Sequence, residues 1–158
     1  MTSKIFLIAI ILGSLNAYSG RWKYDESVDK MRNEKSFYAV LPSDNSIEFK
    51  FPYNGGSNLL ITLGKKGKNS SMAMLSITKG QFSNLNGNTL SAKFDKNKIE
   101  SFEFIIPKNS KRNVLFISDL TFVEKIKKSK KLTLEVPFYG DGSRQFEFDS
   151  SDLNWKHN

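Results

Sequence analysis

Five lysines in one short stretch, Lys125, Lys127, Lys128, Lys130 and Lys131, are the chain's densest concentration of chemical capacity. Ammonium groups spaced this closely can hold a phosphate, a lipid headgroup or an acidic glycan by charge alone, and Arg112 and the Lys65-Lys66-Gly67-Lys68 turn could extend the patch. The competing reading is a set of solvated lysines closing a helix, because cations there complement the helix dipole without any ligand.

Covalent and metal chemistry are poorly supplied. The chain has no cysteine and a single histidine, His157. A Ser-His-Asp arrangement needs its imidazole held rigidly, whereas His157 stands next to the last residue, where chains fray. Zinc prefers cysteine or clustered histidine, so neither a metal nor another cofactor is expected. Carboxylates gather near the start (Asp25, Glu26, Asp29) and near the end (Asp141, Asp149, Asp152). A pair of them could act on a glycosidic bond, but turns and wet strand faces account for them, and residues 25–34 lack the central glycine of a calcium loop. A cell-wall glycan hydrolase is therefore the weakest functional reading, and no enzymatic activity is expected. Asn54-Gly55-Gly56-Ser57 leads into a strand rather than a helix, so it cannot set a phosphate on a helix N-terminus. Trp22, Tyr24, Tyr53, Tyr139 and Trp155 could stack on sugars or bases, but nothing interleaves them with arginine, and nucleic acid is the least expected anionic partner.

The elements that must carry these residues follow a period of two. Apolar and polar side chains alternate in Ile47-Glu48-Phe49-Lys50-Phe51, Phe102-Glu103-Phe104, Leu132-Thr133-Leu134-Glu135-Val136 and Phe146-Glu147-Phe148-Asp149, which predicts strands with one wet face. Turn-forming residues recur between them at 42–46, 52–58, 64–71, 84–88, 95–98, 107–113 and 140–143. The pattern predicts an all-β fold with one short helix, an antiparallel β-sandwich or partly open barrel in a single domain. Its best hairpin turns through Gly140-Asp141-Gly142-Ser143, where the Asp-Gly pair would supply positive backbone dihedrals. One segment breaks the period: Thr121-Phe122-Val123-Glu124 reads as a capping box opening a helix, with Phe122, Val123 and Ile126 turned to the sheet. Thirteen phenylalanines spread along the chain predict a phenylalanine-rich core.

Lys4, the apolar run 5–12 and the small residues around Ala17-Tyr18-Ser19 describe a cleaved secretory signal over residues 1–19, too short to span a bilayer. A single domain over 20–158, periplasmic or secreted and without a stable transmembrane segment after processing, is the expected product. Lacking disulfides, its core alone must hold it. The net charge of +8 favours anionic partners or surfaces.

Several motifs, Trp22-x-Tyr24, Phe51-Pro52-Tyr53-Asn54-Gly55-Gly56-Ser57, Ser76-Ile77-Thr78-Lys79-Gly80-Gln81-Phe82, Leu115-Phe116-Ile117-Ser118 and Phe146-Glu147-Phe148-Asp149 through Leu153-x-Trp155, resemble a family of short exported bacterial and phage-associated proteins. More distantly, the early tryptophan, the Lys-Gly-x-Phe strand and the closing Phe-x-Phe-Asp resemble the TagO/VasI accessory proteins of type VI secretion. The resemblance implies a periplasmic β-sandwich with no established enzymatic activity. It also implies a hairpin disulfide in relatives at the places of Ser83 and Asn88.

Two functional readings follow. The first is a protein-interaction or accessory module of the cell envelope, of inhibitor, immunity or secretion-accessory type, whose contacts come from the turns at 52–57 and 138–143, namely Tyr53, Asn54, Phe138, Tyr139 and Arg144. The second is an anion-binding module using the lysines of 125–131 and Arg112 on an anionic glycan, lipid headgroup or nucleic acid.

Overall fold

Residues 22–157 are described by the computed structural model, and among them alternation becomes nine strands and one helix. The strands are β1 (Lys23–Asp29), β2 (Glu34–Pro42), β3 (Leu59–Lys66), β4 (Met72–Ile77), β5 (Thr89–Phe94), β6 (Glu100–Ile105), β7 (Val114–Ile117), β8 (Lys131–Phe138) and β9 (Gly142–Asp149), with α1 (Thr121–Lys128) between β7 and β8. The expected signal over 1–19 lies outside the described residues.

All neighbouring strands run antiparallel in one sheet of order β1-β2-β3-β4-β7-β6-β5-β8-β9. The β6–β7 contact is short, only Phe104 on Ile117 and Ile105 on Phe116. It joins a half built from β1 to β4 and β7 to a half built from β6, β5, β8 and β9. The sheet is sandwich-like and does not close into a barrel. Ile61, Leu63, Leu75 and Leu115 from the first half are fully buried with Leu134, Val136 and Phe146 from the second. Phenylalanines fill the space between: Phe138 lies 4.7 Å from Phe49 and 5.2 Å from Phe82, and Phe122 of α1 lies 5.1 Å from Phe102. Hydrophobic burial of this kind is what a cysteine-free domain must rely on.

Four local expectations need correction. The alternating segment 47–51 forms a single bridge, Ile47 to Ser57, and no strand, because the turn at Pro52 follows at once and turns Phe51 outward. The capping box does not form; no side chain caps from the N-cap position, and the Asp119 carboxylate instead accepts the Thr121 N–H at 2.8 Å. The helix ends at Lys128, so Lys130 precedes β8 and Lys131 opens it. In the β8–β9 turn the positive φ angles belong to Gly140 (76°) and Gly142 (67°) rather than to Asp141.

Candidate functional site

The ends of the sheet differ in character. At one end the start of β3 and β9 and the finish of β4 and β8 bring four connections together: residues 43–58, 78–88, 106–113 and 139–141. This loop end joins the two turns singled out for partner contacts. The Lys50 backbone N–H donates to the Asp141 carboxylate at 3.2 Å, and its ammonium donates to the Gly140 carbonyl at 3.3 Å. Beneath them the Phe49 and Phe138 rings pack together, so Phe138 is a buried support and not a contact residue. Gly80 admits this packing, because a Cβ there would stand 3.2 Å from the Phe49 ring.

Above that support, Phe51 is 90% exposed and Tyr139 is 62% exposed, flanking the Lys50–Asp141 contact. The loop carrying Phe51 is held from below: Gly55 N–H donates to Glu48, and the Lys79 ammonium donates to the carbonyls of Asn54 and Gly55. Tyr53 is partly buried against the core and Asn54 is exposed. Arg144 lies 3.7 Å from Asp141 with its Nε buried and unpaired. Sequence reasoning missed Phe51, which alternation had assigned to a strand; the signal was the Pro52 beside it.

Arg112 belongs to this end. With a φ of 57° it lends its carbonyl to Phe82, donates from Nε to the Phe82 carbonyl at 3.1 Å and from Nη2 to Asn84 at 2.6 Å. It lies before β7 and the helix after it, so Arg112 ties loops together instead of joining the lysines of α1. The same contacts steady the 84–88 loop, where Leu85 is 74% exposed.

The opposite end carries the lysines. Lys125 donates to both oxygens of Glu100 at 2.8 and 2.6 Å, and Lys127 pairs with Glu124 at 3.1 Å, so two of the five already face carboxylates. Lys128, Lys130 and Lys131 are exposed. Asp95 accepts the N–H groups of Lys130 and Lys131, each at 2.9 Å, which stitches the Lys96 and Lys98 turn to them. Among the carboxylates, Asp141 and Asp149 bracket β9 and stand about 27 Å apart at strand rise. That separation is far beyond the reach of one glycosidic bond. Ser151 hydroxyl and backbone donors hold the Asp149 carboxyl below the usual carboxylate range. No group of three or more His, Asp or Glu suited to a metal occurs among the described residues, and none of their helices is long and apolar enough to cross a membrane.

Fold and loop end together define an all-β domain that exposes Phe51 and Tyr139 on two turns at one end of its sheet. Neither protein-family models, curated proteins nor solved structures match the chain.

Proposed function

We propose that the protein is an exported, non-catalytic contact module of the cell envelope and that its loop end binds a partner protein. One observation carries the reading: Phe51 and Tyr139 present their rings to solvent on two turns that are bonded to each other and braced by buried phenylalanines. Exposed aromatics on a stiff base lose little entropy on binding and are the residues that concentrate interface energy. Export is supported by the signal-like start of the sequence, and detection of a processed periplasmic chain beginning near Gly20 tests it. For contact, a photo-reactive phenylalanine is placed at position 139 in exporting cells. A discrete adduct is expected, reduced about fivefold or more by Phe51→Ala, with none from the same probe at Asn69 in the β3–β4 turn. No adduct at 139, or equal adducts at both positions, would sink the proposal.

A second reading, anion binding at the lysine end, is favoured by the bonding of the 95–98 turn to Lys130 and Lys131. Retention on an anionic glycan should fall steeply with salt and drop on Lys128→Glu with Lys130→Glu; salt-indifferent retention counts against it.

A further inference from the structure

We propose that a slot between β1, β2 and the C-terminal tail receives a protonated nitrogen group, the guanidinium or ammonium end of an arginine or lysine side chain. The β1–β2 register pairs Tyr24 with Ala39 and Glu26 with Phe37. Directly opposed residues share a face, so Tyr24, Glu26 and Phe37 all look toward the tail. The tail supplies the facing wall: His157 stacks on Phe37 at 3.9 Å, and Trp155 meets His157 edge-on at 5.0 Å. Between them lies an open, shallow depression of about 350 Å³, large enough for the end of one side chain.

The walls are fixed before any ligand arrives. Trp155 donates to the Ser71 hydroxyl at 3.1 Å, Ser71 donates to the His157 carbonyl at 2.8 Å, and the Tyr24 hydroxyl accepts the Asn154 N–H at 2.7 Å. Anchoring the tail explains the buried Trp155 and the stacked His157. It does not explain why Tyr24 stays 49% exposed beside the half-exposed side chain of Glu26. With the Phe37 face covered by His157 and Trp155 buried, the exposed Tyr24 beside the Glu26 carboxylate is the setting for a cation, attracted by the ring quadrupole and by the charge. Charge agrees: β1 carries Asp25, Glu26 and Asp29 against Lys23, an acidic strand in a chain of net charge +8. Lys35, 3.6 Å from Glu26, is the cation a ligand would displace. A second depression, near β5, β8 and β9, is lined by Asp44, Asp95, Glu147 and Asp149 with Lys93 and Lys131, but its one aromatic side chain, Phe148, is buried and offers no ring face.

The test follows the Trp155 indole N–H signal by NMR during titration with arginine amide, lysine amide, glucosamine and the neutral isostere citrulline amide. Saturable shifts are expected with the two amino-acid cations and not with citrulline amide; a shift with glucosamine alone would move the source from a peptide side chain to an amino sugar and overturn the assignment. Glu26→Gln, at a half-exposed position that leaves the fold intact, should weaken binding about fivefold or more, while Glu103→Gln on β6 should not. Tyr24→Leu should weaken it too, with a thermal melt showing that the domain still folds. Equal binding of citrulline amide, no saturable shift at millimolar cation, or an unaffected Glu26→Gln would each overturn the proposal. None of these outcomes depends on the loop end.

Discussion

Asp119 occupies the capping role that Thr121 and Glu124 were expected to share. Its carboxylate accepts the Thr121 N–H and its carbonyl accepts the Phe122 N–H at 3.2 Å, satisfying two donors that a helix start leaves free. Hydrogen bonds from the Thr121 side chain, then from its backbone, hold the Asp119 carboxyl below the ordinary aspartate range. A carboxyl depressed in the folded state takes up its proton more readily when unfolded. Its stabilisation is therefore complete above the unfolded value of about 3.9 and lost as the pH falls through the lower folded value. Asp119→Ala should cost about 1 kcal/mol in denaturant unfolding at neutral pH, and the gap from wild type should close in acid below that range. A gap that persisted unchanged in acid would mean that the carboxylate is not the cap. At Gly80, where φ is 121° and an added Cβ would press on Phe49, Gly80→Ala should cost about 1–3 kcal/mol. It should also loosen the loop end, seen as faster hydrogen exchange at Tyr53 and Tyr139; unchanged exchange there would show that the Phe49 support does not reach the surface.

Among the elements, α1 shows how a single face does the docking: Phe122, Val123 and Ile126 are buried, and Phe122 meets Phe94 and Phe102 edge-on. Phe122→Ala removes a fully buried ring and should destabilise by about 3–5 kcal/mol in a denaturant midpoint measurement; a loss under about 1 kcal/mol would mean that the helix packs loosely. The docking residues, the strands β6, β8 and β9 and the hairpin between the last two could be read in advance, because alternation and turn chemistry agree there. β1 was not legible. Its burial is low on both sides, so Tyr24, Glu26 and Val28 on one face and Asp25, Ser27 and Asp29 on the other print no apolar stripe. The segment at 47–51 misled for the opposite reason, since its alternation is real in burial as far as Lys50 but the chain finds no neighbouring strand to pair with. At the loop end, Tyr53, Asn54 and Tyr139 were legible as residues at turns, and Arg144 as the strand residue that follows one. Their meeting was not, because a bond between Lys50 and Asp141 spans ninety-one positions and leaves no local pattern.

On the scale of the whole molecule, the open sheet raises the question of its two outer strands, because free edges invite pairing with other chains. The segment after β2 answers it for β9. Asp44 N–H donates to the Glu147 carbonyl at 2.7 Å, and the Asn45 side chain behaves as one rung of a strand, donating to the Gln145 carbonyl at 3.1 Å and accepting the Glu147 N–H at 2.8 Å. One end of the sheet is thus folded onto the other, and β1 is left as the outer strand beside the tail. Asn45→Ala removes two of these bonds and should cost about 1 kcal/mol, modest because the edge is exposed to water. Its larger effects are expected elsewhere: the Glu147 amide should exchange markedly faster, and the variant should associate with rising concentration, since a second edge would then be open. Sedimentation at several concentrations, alongside hydrogen exchange, checks both. If the Glu147 amide stayed protected, the β9 edge would owe its cover to the Asp44 backbone alone, and association confined to wild-type levels would show that β1 and the tail govern assembly.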